Sequence, residues 1–332
     1  MISTRFTQLV GCTVPLQQAG MGGVSPPELA AAVSEAGGLG MVGTARAGLT
    51  PATLAVLLER VRLLTTRPFG VNFLVSPVHL EGRHGRQPLD LACVGVAAEA
   101  ARVVDFFYGD PDPKLVEIVH KGGALACWQV GSRSEAVAAV EAGCDLIVAQ
   151  GVEAGGHVRG RIGLLPLLAE ILDAVDVPVL AAGGIGSARA MAAALAAGAQ
   201  GVRVGTRFIA AQEAGAHPDY VAALIAAEAG DTIHTDAFRG GWPDAPHRVL
   251  RSCLEAARMA PAEIIAEGSR LDGTRMPIAR FATAVADRMV TGHIAALPLW
   301  AGESVGGVKR IQPAAAIVHE LAEGAEALLR RW

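Results

Sequence analysis

Asp145-Leu146-Ile147-Val148-Ala149-Gln150-Gly151-Val152-Glu153-Ala154-Gly155-Gly156-His157 runs from a block of apolar residues into a double glycine and a single imidazole. The block 145–149 reads as a strand buried on both faces, as in parallel sheets covered by helices. His157 then stands just past the carboxyl end of a strand, where α/β enzymes carry their chemistry. A lone histidine in a glycine loop also has a plainer reading, in which it closes a tight turn and hydrogen-bonds a backbone carbonyl. The rest of the chain decides between them.

The same pattern repeats on either side. Eight short, nearly continuous apolar segments, at residues 15–21, 39–43, 70–75, 103–107, 124–130, 145–149, 177–182 and 201–204, alternate with alanine-rich stretches of helical period. Repeated βα units build a parallel sheet. Eight of them close a (β/α)8 TIM barrel with no strand left unpaired, whereas an open doubly wound sheet leaves two edges. Helix signals agree: Pro26 and Pro27 open a helix at 28–36, Thr50 and Pro51 cap and start another, and Ser132 with Ser134 precede 135–142. Gly37-Gly38, Gly143 and Gly198 fall between a helix and the next strand, where a left-handed C-cap is needed.

Past residue 208 the pattern changes to helical segments at 220–228, 245–256, 262–268 and 278–290. It predicts a mainly helical insertion after the eighth strand, with the barrel formed by residues 1–208 and 306–332 and the insertion by 209–305. Within the insertion, Phe238-Arg239-Gly240-Gly241-Trp242-Pro243-Asp244 reads either as a lid or as a turn held by Trp242. Residues 313–329 put Ile317, Leu321, Ala325 and Leu328 on one face and predict an outer helix that packs back onto the barrel.

Of the 332 residues, 52% are hydrophobic and 18% charged, enough apolar material for one large barrel core. A net charge of −4, no Lys/Arg run and only 4% aromatic residues leave no electrostatic footprint for nucleic acid. The five cysteines, Cys12, Cys93, Cys127, Cys144 and Cys253, are scattered and never spaced C-x-x-C, which argues against a disulfide framework or a zinc site. They read as small buried apolar residues. No metal is expected, since Asp145, Glu153 and His157 lack a ligand spacing. The start Met1-Ile2-Ser3-Thr4-Arg5-Phe6 lacks the plan of a signal peptide, and no stretch approaches the ~20 apolar residues of a membrane span. A cytoplasmic protein with a small-molecule substrate and no membrane partner is the expectation.

Two glycine signals sit at the ends of the last two strands, Ala181-Ala182-Gly183-Gly184-Ile185-Gly186-Ser187 and Val204-Gly205-Thr206-Arg207. In a (β/α)8 barrel these loops form the usual phosphate site: glycine lets backbone N–H groups approach phosphate oxygens, and the Thr206 hydroxyl can add a hydrogen bond. The plainer reading is two tight βα turns. Such a cradle beside the sixth strand admits a phosphorylated sugar-like substrate or a flavin mononucleotide (FMN). Leu16-Gln17-Gln18-Ala19-Gly20-Met21-Gly22-Gly23 favours FMN, because its small residues let a flat ring lie against backbone. Asn72 at the third strand carries an amide able to pair with donor and acceptor edges of a flavin pyrimidine, or else simply satisfies loop backbone.

The chain resembles the nitronate monooxygenases, formerly 2-nitropropane dioxygenases, and their sister group, the FMN-dependent enoyl-acyl-carrier-protein reductases, over nearly its whole length. The resemblance is carried by residues 18–23, by Phe69-Gly70-Val71-Asn72, by Gln150 through His157, by Ala182-Gly183-Gly184-Ile185, by Gly205-Thr206-Arg207-Phe208 and by Ala301-Gly302-Glu303-Ser304. It implies an FMN-containing TIM barrel with Ala19, Gly20, Met21, Asn72 and Gln150 around the ring and Gly155 and Gly156 beside it. Gly183, Gly184, Gly205 and Thr206 would then hold the phosphate, Ser304 would reach the flavin, and His157 would be the catalytic histidine. The chain departs from the family pattern at Gly20, where proline is usual, at Glu303, where the loop usually reads A-G-Q-S, and at Gln129, where one class carries lysine. By this resemblance the activity is oxidation of alkyl nitronates with oxygen to a carbonyl compound and nitrite; NAD(P)H-driven reduction of an enoyl thioester or a quinone is the enzymatic alternative. A flavin-free barrel holding a phosphorylated metabolite is the third. A homodimer is compatible with all of them.

Overall fold

Alternation along each strand decides where the core lies. In the computed structural model, which describes residues 2–75 and 89–331, eight parallel strands follow one another around a ring. They are β1 (Leu16–Gln18), β2 (Gly40–Gly43), β3 (Phe69–Leu74), β4 (Val103–Phe107), β5 (Leu125–Val130), β6 (Leu146–Gln150), β7 (Val179–Ala182) and β8 (Gly201–Val204). From β2 onward each strand pairs with the next, β8 pairs with β1, and a parallel bridge from Gln17 to Leu39 closes the ring between β1 and β2. The eight segments read from the sequence are these strands, with the ends trimmed.

Because side chains alternate across a strand, each one contributes to two cores. Ile147, Ala149, Val104 and Phe106 face outward into the shell between sheet and helices. Leu146, Val148, Val103, Cys127 and Leu180 face inward, where α1 (Arg5–Val10) plugs the amino-terminal end with Phe6 and Val10. All five cysteines are buried free thiols, as their scatter predicts. Burial pushes the Cys12, Cys144 and Cys253 thiols up to about 12, so they pack as apolar groups.

The outer ring is α2 (Pro27–Glu35), α3 (Pro51–Leu64), α4 (Leu91–Ala100), α5 (Pro113–Lys121), α6 (Arg133–Glu141), α7 (Leu164–Leu172) and α8 (Ala188–Ala196). Thr50 caps α3 in a reciprocal capping box with Thr53, and the Ser132 hydroxyl accepts the Glu135 N–H at the start of α6. Gly143 and Gly198 adopt φ of +99° and +105° just after α6 and α8, the left-handed exit that glycine alone makes freely. Three further helices, α9 (Thr206–Ile209), α10 (Pro218–Ala226) and α11 (Arg251–Met259), precede the last one, α12 (Ala314–Leu329). This last helix buries Ile317, Leu321 and Ala325 against α8 and α2, as its apolar face predicts. Among the described residues no helix is long and apolar enough to cross a membrane.

The segment after the eighth strand corrects the expectation of a mainly helical insertion. Besides α10 and α11 it forms β9 (Thr232–Thr235), β10 (His247–Leu250), β11 (Ile264–Ser269) and β12 (Arg275–Ala279). The helix expected at 245–256 begins as strand β10 and turns helical only at Arg251, and those expected at 262–268 and 278–290 are absent. β11 and β12 form an antiparallel pair around Asp272-Gly273, where Gly273 has φ of +84°. An Asp-Gly pair is a hairpin turn signal, and alanine at Ala262, Ala266 and Ala279 masked it by imitating helical composition.

Close approach of α2 to β2 rests on Gly40, where a Cβ would drive into the Ala30 carbonyl. Gly95 in α4 has open space around it. Gly40→Ala is therefore expected to lose about 1–3 kcal/mol of stability by overpacking, and Gly95→Ala to gain about 0.5–1 kcal/mol from helix propensity. Urea unfolding of both variants checks the opposite signs.

Candidate active site

Strand alternation delivers one ring of inward side chains to the carboxyl end of the barrel, where the βα loops gather. There a single cavity is lined by Ala19, Gly20, Met21, Asn72, Gln150, Gly155, Gly156, His157, Gly183, Gly184, Gly205, Thr206 and Ser304 together. Every site residue expected from the sequence is thus brought to one place. The cavity wall also includes Gln129, one of the departures from the family pattern, and Arg203, Tyr220 and Trp300, which no motif marks.

The floor is polar and deeply buried. Asp105, wholly buried on β4, takes Arg203 Nη2 at 2.7 Å and Asn72 Nδ2 at 2.5 Å. Arg203 on β8 also donates to Gln17 Oε1 at 2.9 Å and to Gln129 Oε1 at 2.6 Å. Asp105 can only accept, so it fixes the Asn72 amide with its NH2 turned away and its carbonyl left over. Gln150 at the end of β6 is set by the same logic: its Nε2 donates to the His157 carbonyl at 3.0 Å, and its Oε1 is buried without a hydrogen-bond partner. Gly20 is held so close to Asn72 that a Cβ would collide with the asparagine side chain.

The far wall is built by glycines that let three loops touch. Gly183 and Gly184 have φ of +113° and +66°, conformations closed to most side chains. A Cβ on Gly155 would strike the backbone at Ala301 and Gly302, and one on Gly186 would strike Ser304. The turn Glu303–Gly307 is thereby laid across the loops after β6 and β7. The Gly302 N–H donates to Thr206 Oγ1 at 3.0 Å at the start of α9, so the Thr206 hydroxyl keeps its proton for another acceptor. Glu303, the departure in this loop, pairs with Arg248 at 3.2 Å. Glu153 plays a structural part, since its carboxylate accepts the Leu164 N–H at 3.0 Å and so caps α7, whose N-cap Gly163 has no side chain.

His157 belongs to a two-residue strand, Gly156–His157, that pairs antiparallel with β10 of the insertion. Its ring lies between Trp242, at 4.3 Å between centroids, and Trp300, at 5.2 Å, with Tyr108 and His247 edge-on at 5.9 and 5.6 Å. Residues 238–244 form a turn whose buried Trp242 packs on His157 and Tyr108. His247 ties that turn at both ends, because its Nδ1 lies 2.9 Å from the Ala245 carbonyl and its Nε2 accepts the Phe238 N–H at 3.3 Å. A carbonyl accepts and an amide donates, so the ring is the neutral Nδ1–H tautomer. Tyr108 sits at φ of +85°, a strained conformation for a bulky residue and one often kept beside a working group.

Burial lowers the His247 pKa below the ordinary histidine value, aided by charge on His234 and opposed by the bond to Ala245 and by Asp236. The unfolded chain binds a proton below about pH 6.5 that the folded ring refuses, so this stability is complete above that pH and lost as pH falls through the folded pKa. The melting temperature is expected to drop from about pH 7 to about pH 5, with a shallower drop in His247→Gln. Equal slopes in the two proteins would remove His247 as the source.

Comparison with known proteins agrees with this architecture. The nitronate monooxygenase family model matches residues 3–324. The chain is 35% identical over 253 residues to (3aS,4S,5R,7aS)-5-hydroxy-7a-methyl-1-oxo-octahydro-1H-indene-4-carboxyl-CoA dehydrogenase of Rhodococcus jostii, covering 76% of this chain and 67% of that protein. It is 33% identical over 276 residues to a probable nitronate monooxygenase of Staphylococcus haemolyticus, covering 72% and 76%. Among solved structures, nitroalkane oxidase from Streptomyces ansochromogenes superposes with a TM-score of 0.77 at 33% identity over 98% of this chain and 99% of that one. FabK from Thermotoga maritima gives 0.78 at 29% identity over 100% and 98%. A family match over nearly the whole length, on a barrel shared with these structures, makes this chain an oxidoreductase belonging to the nitronate monooxygenase family.

Proposed function

We propose that the chain is an FMN-dependent oxidoreductase that oxidises alkyl nitronates with oxygen to a carbonyl compound and nitrite. The observation that carries the flavin is the floor of the cavity. The pyrimidine edge of a flavin alternates carbonyl, N–H and carbonyl. The floor offers Arg203 N–H groups together with the unpartnered Gln150 Oε1 and the Asn72 carbonyl, the complement such an edge requires. Gly183, Gly184, Gly205, Thr206 and Ser304 fit the phosphate, with backbone at Gly183 and Gly184 that a side chain would strain and a Thr206 hydroxyl proton still to give.

Bound FMN would supply a two-electron acceptor that oxygen reoxidises. The chain's own part is to orient and to exclude water. His157, walled by Trp242 and Trp300, would hold the nitro oxygens of the nitronate or take the α-proton of the parent nitroalkane. The similarity to nitroalkane oxidase supports this substrate. A second reading is NAD(P)H-driven reduction of an enoyl thioester or a quinone on the same flavin; one observation favours a thioester substrate, a relative at 35% identity named a carboxyl-CoA dehydrogenase.

One anaerobic experiment separates them. The purified yellow protein is expected to lose its flavin colour on mixing with an alkyl nitronate and to consume oxygen with it in air. Fast bleaching by NADH or NADPH, with no response to nitronate, would promote the second reading. A colourless protein unable to take up FMN would end both. His157→Ala is expected to keep FMN while turnover falls about 10²–10⁴-fold, and unchanged turnover would remove its catalytic role. For Thr206→Val the FMN dissociation constant should rise by up to about tenfold through loss of one hydrogen bond; equal affinity in a fluorescence titration counts against the phosphate assignment.

A further inference from the structure

Among the described side chains that line the cavity, Arg203 is the one with a permanent charge. It is 5% exposed, and three of its N–H groups are used, on Gln17, Gln129 and Asp105. The Cys127 thiol lies within hydrogen-bond reach of the same guanidinium, which is therefore held on several sides. The counter-ion, Asp105, is itself 0% exposed and receives both Arg203 and Asn72. A fixed charge so deeply buried acts over several ångströms with less screening than one in water. An apolar layer would hold these strands at less cost in desolvation, so the polar layer calls for a use.

We propose that Arg203 raises the reduction potential of the flavin held in this cavity and that Asp105 limits the rise. This rests on the flavin reading above. A flavin that takes up electrons gains negative charge, and a guanidinium fixed in the cavity wall favours that reduced form. The wholly buried carboxylate on Arg203 opposes it. The pair thereby sets how readily electrons pass from the organic substrate, while the neutral amides of Gln17 and Gln129 hold the guanidinium in place without adding charge.

The test is the midpoint potential of FMN-loaded protein, read by equilibration with a reference dye, together with the FMN dissociation constant. Arg203→Gln is expected to shift the oxidised-to-reduced balance at least tenfold toward oxidised flavin, about 30 mV lower for a two-electron couple. Asp105→Asn is expected to move it the other way, and Arg203→Lys to stay near the parent protein. A purely structural polar layer would weaken FMN binding in both variants without opposite shifts in potential, and that result would overturn the proposal. Should Arg203→Gln fail to fold with Asp105 left unpaired, the double variant Asp105→Asn/Arg203→Gln must lie below Asp105→Asn alone; equal potentials would overturn the proposal as well. Failure of the parent protein to bind FMN would sink the flavin reading itself, a different outcome from a potential that does not respond to Arg203.

Discussion

A closed ring of parallel strands sends every second side chain toward the barrel axis, and the chain has to fill that space layer by layer. The lower layers are apolar, with Val103, Cys127, Leu146 and Leu180 against Phe6 of the plugging helix. Two residues further along the same strands the filling becomes Asp105 and Gln129, joined by Arg203 to Gln17 and by Asp105 to Asn72. A buried ion pair brings little net stability, since desolvation offsets most of the attraction, yet removing one partner costs about 3–5 kcal/mol. The Arg203–Asp105 pair is thus a fixture: it orients the Asn72 amide, holds Gln129 and sets the charge of the cavity floor. Gln129 on the fifth strand receives a guanidinium from the eighth strand.

The imidazole depends on a second constraint. His157 leaves the barrel sheet and pairs with β10, so its backbone belongs to the insertion as much as to the loop after β6. Its ring touches four aromatic or imidazole neighbours, three of them, Trp242, His247 and Trp300, from beyond residue 208. Aromatic contacts of this kind contribute about 0.5–1.5 kcal/mol each beyond the area they bury, enough together to hold one orientation. Glu153, in the loop after β6, caps α7 and so holds the start of that loop. Gly155, between Glu153 and His157, lets Ala301 and Gly302 close in.

The barrel was legible because its signal is local. An apolar run such as 145–149 closed by glycine has one economical reading, and eight in succession leave one architecture. The cavity was legible for a related reason: Gly183 and Gly184 lie directly after a strand end and Asn72 in the carboxyl half of β3, so the direction of the strands places them. Arg203 and Asp105 stand 98 positions apart and signify only once β4 and β8 face each other across the axis. His247 and Trp300 are likewise silent until the insertion folds over the barrel. The strands of the insertion were hidden by composition, since alanine at Ala262, Ala266 and Ala279 imitates a helix while Asp272-Gly273 already marked the hairpin.

The small sheet shared by His157 and β10 bears on the order in which the protein comes into being. During synthesis all eight barrel strands leave the ribosome before β10 and Trp300 exist. A nascent chain at that stage holds the residues of the floor, but its histidine has no strand to pair with and lacks Trp242, His247 and Trp300, and the glycine wall lacks the turn Glu303–Gly307. Completion of the cavity therefore belongs to the last part of the chain, which brings the partners of its one imidazole.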